Sequence, residues 1–387
     1  MVRLRSFAPR IALAVAGGLF PLLALEVGAR WLAAPLGGSM AIFEDAGTTG
    51  YRLRPGATGV GPRGNPLQID ADGYRRDPEP PAGPIHLRVL LVGDSFVFGV
   101  GVAASDTLPA TLARILRTKT GCEGVEVLNA GIPGANLAQN HSRLAGEASA
   151  TDPDVVVLAI LENDIHNLDG PDHLAREDGH LRFRPGTYRP GGLVNPFGAL
   201  DGVWLWLQTR SVAFRELSFW AISRRLEIDG RDDLMALARE TEISPALADR
   251  LLRGEVDPET AARLSGATTR IVDMARAVEE QGRGFGLLLL YRPEQVADTS
   301  LRGGHRSISA GARVAGVPVV DPIARLEAVD DPLGLFLFPG DHHPSARGHR
   351  AVAEVLADAL LAGLPPGADE IRCEALGASL RRPAQIQ

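Results

Sequence analysis

Hydrophobic positions fall into two regimes along the chain. From Arg88 onward, short unbroken apolar runs alternate with longer stretches of helical spacing. Val89–Val92, Val125–Leu128 and Val155–Leu161 each end at small or polar residues: Gly93-Asp94-Ser95, Asn129-Ala130-Gly131 and Glu162-Asn163-Asp164. Runs of this kind are strands buried on both faces, as in a parallel sheet. Between them the spacing predicts one helix over Leu108–Thr118, capped by Asp106 or Thr107, and another near 137–148, capped by Asn136. Strand, helix, strand, helix, strand implies right-handed crossovers. The rhythm returns at Thr268 with a helix over Thr269–Gln281 and a strand over Phe285–Leu290. A helix near Arg306–Ala315, a strand over Val317–Val320 and a last helix over Ala346–Leu361, capped by Ser345, complete it.

The gap between the halves is about a hundred residues, too long to lack structure of its own. Val203–Ile228 has the spacing of one or two amphipathic helices and carries Trp204, Trp206 and Trp220; Arg231–Pro258 also has helical character. A helical insertion over the carboxyl edge of the sheet is expected, its aromatics forming the insertion's own core or else lining a substrate cleft or touching lipid. Residues 33–86 are rich in Gly and Pro and predict a connecting arm with one or two short strands, Leu67–Asp70 among them.

The first residues differ from all of this. Arg3, Arg5 and Arg10 precede an uncharged run, Ile11–Leu25, and the apolar character continues past Glu26 to Trp31 and Leu32. A positive start before an apolar segment, with no clear cleavage site, predicts an uncleaved signal-anchor, with a cleaved signal peptide as the alternative; either puts the main domain outside the cytoplasm. The expected division is therefore an anchor (1–32), an arm (33–86), a first catalytic part (87–165), an insertion (166–266), a second catalytic part (267–363) and a loose tail (364–387).

Composition narrows the function. The 387 residues are 45% hydrophobic with a net charge of −7, which gives ample core and argues against nucleic acid as a partner. Two cysteines, Cys122 and Cys373, exclude a disulfide-dense scaffold and a Cys-based structural zinc site. There is no Walker A sequence, and no third Gly follows Gly99-Val100-Gly101 at dinucleotide-binding spacing. Ser95 is followed by Phe96-Val97, so the G-x-S-x-G elbow is absent as well. Asp341, His342, His343 and His349 lack a metal-site spacing, so neither a metal nor another cofactor is expected.

What remains is a set of loops at the carboxyl ends of strands, together with Asp341-His342-His343-Pro344 before the last helix. They supply a nucleophile (Ser95), a base (His343), a carboxylate to orient it (Asp341) and oxyanion donors: the amides of Ser95 and Gly131 and the side chain of Asn163. Ser95 has a second reading as a helix cap, and His342 competes with His343 as base. Asp94 is expected to bond neighbouring loop amides, Asp164 to form a turn, and His349 to lie on the surface of the last helix.

In these blocks the chain resembles the SGNH (GDSL-type) hydrolases, whose Ser, Gly, Asn and His match Ser95, Gly131, Asn163 and His343 in order. The resemblance covers about 85–165 and 267–362, and Gly73-Tyr74-Arg75 looks like the triplet of membrane-anchored bacterial members. It implies a flavodoxin-like three-layer α/β/α sandwich with a five-stranded parallel sheet. It further implies a serine esterase acting on an acylated saccharide or lipid. A polysaccharide O-acetyltransferase with the same triad, or a silent carbohydrate-binding or scaffold protein of the envelope, are the alternatives. Two departures stand out. Asp341 lies two residues before His343 where many members have three, and Glu162 stands where many have Gly. The Glu162 side chain is expected to reach the cleft. In such an architecture helices return to the edge opposite the site, so Cys122 and Cys373 should meet there and form a disulfide.

Overall fold

Leu87–Gly93 (β1), Val125–Gly131 (β2), Val155–Ile160 (β3), Gly284–Leu289 (β4) and Val319–Val320 (β5) form one sheet. Every adjacent pair is parallel, in the order β5-β4-β3-β1-β2. The aliphatic residues of β3 and β4 are all buried, which is why their sequences show no alternation. The computed structural model describes residues 21–28, 42–46, 51–61, 65–81, 83–166, 174–177, 180–183, 211, 213–214, 245–255, 257–337, 341–362 and 373–381.

The helices follow from the strand order. The chain passes from β1 outward to β2, then back across β1 to β3, and onward to β4 and β5. Right-handed crossovers then put the first helix on one face and the next three on the other. Accordingly Leu108–Thr120 (α1) lies on one face. Leu137–Thr151 (α2), Pro258–Glu279 (α3) and Gly303–Val314 (α4) lie together on the other, and Ala346–Ala362 (α5) packs against α1. This is the expected five-stranded α/β/α sandwich. Register places Gly93 beside Gly131 and Ile160 beside Leu289, so four strands end at one edge.

Several segments differ from expectation. Helix α3 begins at Pro258, not near Thr269, because Asp257 caps it by accepting from the Glu259 and Thr260 amides, with Pro at the first turn. A further helix, Pro245–Arg253, buries Leu247 and Leu251 in the main core. The last part of the expected insertion therefore belongs to the sandwich. Its first part holds an antiparallel strand pair, Leu174–Glu177 with His180–Phe183. The three insertion tryptophans lie outside the described residues.

The arm is more than a connector. Phe43–Asp45 pairs with Tyr51–Leu53, and Thr58–Val60 pairs with Pro66–Gln68. These pairs enclose a small core of Ile42, Tyr51, Leu53, Ala57, Leu67 and Ile69 that closes on Phe98, Ile132 and Ala135 of the sandwich. Part of the expected tail is ordered. Cys373–Leu380 is a helix that buries Leu376 and Leu380 against the sheet. It lies at the starting edge of the strands: the Gly377 amide donates to His86 O, and Arg381 bonds Asp154. The Cys122–Cys373 disulfide is formed, with its Cα atoms 5.5 Å apart.

Of the stretch expected to anchor the chain, only residues 21–28 are described. They are helical, with Leu22, Leu23, Leu25 and Val27 exposed. No helix among the described residues is long and apolar enough to cross a membrane.

Candidate active site

Whether Ser95 is a cap or a reactive group is decided by its neighbour. Asp94 is the N-cap of the short helix Ser95–Phe98, its carboxylate accepting the Phe96 amide at 2.9 Å. Ser95 is thus the first helical residue, and its hydroxyl is released from capping. The helix ends at Gly99, whose left-handed backbone (φ +83°) returns its N–H to Ser95 O.

The hydroxyl faces His343: Ser95 Oγ and His343 Nε2 are 2.9 Å apart. On the other side of the ring, Nδ1 is 2.5 Å from Asp341 Oδ1, and the same oxygen accepts the His343 main-chain N–H at 2.9 Å. The two-residue separation therefore serves both bonds. His342 does not take this place; its ring stacks beside that of His343, with centroids 5.4 Å apart. Phe96 lies against both rings, its centroid 5.2 Å from that of His343 and 6.5 Å from that of His342. The loop is pinned by the Leu337 amide, which donates to His343 O, and by the Phe336–Pro344 bridge.

Burial disfavours a charge on His343, but the Asp341 carboxylate and its hydrogen bond, with Asp94 adding, outweigh that. The imidazole pKa is raised above its ordinary value. Burial would raise Asp341 in turn; the His343 charge and hydrogen bonds overcome it and hold the carboxyl well below the usual range. A neutral imidazole between a hydroxyl and a carboxylate can take the hydroxyl proton and be stabilised once charged.

Around this array, Asp94 is fully buried. Burial raises its pKa, against the hydrogen bond from the Phe96 amide and the charge of His343. Gly131, expected to aim its amide at an oxyanion, donates instead to Asn129 Oδ1 at 3.1 Å. A Cβ at Gly131 would overlap the Phe98 backbone, so its place in the structure is close approach between β2 and the Ser95 helix. Asp164 forms the expected turn by accepting the Leu161 amide, and burial, reinforced by the Asp94 charge, raises its pKa.

Two expectations are corrected by burial. Glu162 does not reach the cleft: it is 3% exposed and pairs with Arg292 Nε at 2.5 Å. His349 is not on the surface but 2% exposed, and burial, with the charges of Arg75 and His343, lowers its pKa to about 3. Arg292 and Arg75 were not legible as site residues. The signal for Arg292 is its place in Tyr291-Arg292-Pro293, just past β4, and that for Arg75 is the triplet before β1. No group of metal-ligating side chains occurs among the described residues.

The fold and the array at its carboxyl edge are those of a carboxylic-ester hydrolase. Residues 91–351 match the family described as GDSL-like lipase/acylhydrolase, and the chain belongs to that family. No curated protein matches the chain. Among solved structures it is similar to an acetylxylan esterase from Geobacillus stearothermophilus, at 16% identity over 70% of this chain and 93% of that one, with a TM-score of 0.37. It is also similar to a lipase/acylhydrolase from Enterococcus faecalis, at 16% identity over 70% and 93%, with a TM-score of 0.37.

Proposed function

We propose that the protein cleaves an acylated saccharide or lipid through an acyl-Ser95 intermediate, outside the cytoplasm and tethered by its N-terminal helix. The reading rests on the Ser95–His343–Asp341 geometry, 2.9 Å and 2.5 Å along the array. His343 Nε2 takes the Ser95 proton as Oγ attacks the ester carbon, and Asp341 stabilises the resulting imidazolium. The oxyanion meets the Ser95 amide and the side chain of Asn163. That amide has two N–H groups to offer the substrate. Each such donor contributes on the order of 3 kcal/mol. His343 then protonates the leaving alkoxide, and water releases the acyl group by the reverse sequence. A disulfide, persisting in oxidising compartments, and the basic start of the apolar N-terminal segment support the location.

A fluorophosphonate probe should label the wild type at Ser95 and leave Ser95→Ala unlabelled. Equal labelling of both, or none of either, counts against the assignment. Product analysis with a sugar acceptor present tests hydrolysis: an acylated acceptor in place of free acid would make the protein a transferase.

A further inference from the structure

Behind the Ser95 helix lies a buried cation that the ester chemistry does not use. Arg75 is 3% exposed and forms no ion pair among the described residues. Its guanidinium is spent on main-chain carbonyls. Nη1 donates to Phe98 O at 2.7 Å and Gly99 O at 2.6 Å, and Nη2 donates to Val102 O at 2.9 Å. The same group sits 4.8 Å from the Phe98 ring centroid. From the arm, Asn65 Nδ2 adds a bond to Gly101 O at 2.9 Å. Four carbonyls between 98 and 102 are therefore held by two arm side chains.

That short segment touches both halves of the array. On one side it ends the Ser95 helix, with the Gly99 and Val100 amides returning to Ser95 O at 2.9 and 3.1 Å. On the other, Gly101 lies against the 337–341 loop: a Cβ there would overlap Leu337 and stand 3.8 Å from Asp341 Oδ2. Arg75 is itself registered to the sheet, its amide donating to Asn129 O at 3.2 Å. Nothing in the α/β sandwich requires a cation here. Desolvating one is costly, and an apolar residue of similar size commonly serves stability as well or better. What a planar guanidinium adds is a rigid fork that fixes several acceptors at once.

We propose that Arg75 is a positioning residue of the ester-cleaving site: its guanidinium locks residues 98–102 so that Ser95 and the Asp341–His343 pair meet at bonding distance. The proposal rests on the assignment of Ser95 and His343 above. The arm is then part of the catalytic apparatus and not a spacer between anchor and enzyme.

The test uses the full chain in detergent, with Arg75→Lys and Arg75→Gln, p-nitrophenyl acetate as substrate and a fluorophosphonate to count active sites. Arg75→Gln should lower kcat per labelled site by about 10²-fold, with KM within about threefold, because misplacement of about 1 Å has that effect. Arg75→Lys should recover part of the loss, to within about tenfold of wild type. Proton NMR supplies a readout independent of turnover. The low-field resonance of His343 Nδ1–H, bonded to Asp341, should be sharp in the wild type and shifted or broadened in Arg75→Gln. Wild-type kcat per labelled site with an unchanged resonance would overturn the proposal, even if less protein folds. If Arg75→Gln does not fold, Arg75→Lys decides on the same two measurements. A wild type inert to both substrate and probe would instead remove the Ser95 assignment, and the resonance alone would still decide whether Arg75 sets the pair.

Discussion

His342 and His343 are adjacent, yet only His343 meets both a hydroxyl and a carboxylate. Its raised pKa has a consequence of definite sign. The base works only when neutral, and a raised pKa keeps it protonated to higher pH. The acid limb of kcat/KM should therefore have its midpoint above pH 6.5 and fall away below it. Replacing Asp341 by Asn removes the largest force that raises it. In Asp341→Asn the limb should move to lower pH, while kcat drops by roughly 10³- to 10⁴-fold as the imidazole loses its orientation. A pH–rate profile of both proteins checks the two statements, and an unmoved limb would remove Asp341 from its place. Ser95, Asp341 and His343 were legible because their blocks are local in sequence. Glu162 was misread because its partner, Arg292, comes from a distant segment, and His349 because it is packed under distant parts of the chain. A buried polar residue with a remote partner has the same local pattern as an exposed one.

At the scale of elements, the five strands and their parallel pairing follow from buried aliphatic runs joined by helical crossovers, and both were legible. In the arm the strand expected at Leu67–Asp70 is present at Pro66–Gln68, but the other strands were not legible, because three residues leave too short an alternation to count. The tail helix did carry a signal, Leu376 and Leu380 one turn apart, but in a stretch lacking any other periodicity. The contact between β2 and the Ser95 helix gives an element-scale prediction. Gly131→Ala forces a methyl group into the Phe98 backbone. Overpacking of this kind costs about 1–3 kcal/mol, so the urea midpoint should fall and ester turnover should fall with it. A variant with wild-type stability and activity would show that the two elements have room to separate.

Across the whole molecule, the site occupies the carboxyl edge of the sheet and the Cys122–Cys373 link the opposite edge, where the last helix covers the entry to β1, β3 and β4. The link spans 251 residues, and closing so long a loop restricts the unfolded chain by about 5 kcal/mol in the chain-entropy estimate. Reduction should therefore lower Tm markedly while leaving kcat per folded molecule unchanged, and thiol titration of the denatured, unreduced protein should find no free cysteine. Equal loss of rate and stability on reduction would mean that the two edges are coupled. With the edges independent, the redox state of the surroundings acts as a clock on the enzyme. It sets how long each copy survives and leaves untouched how fast that copy works.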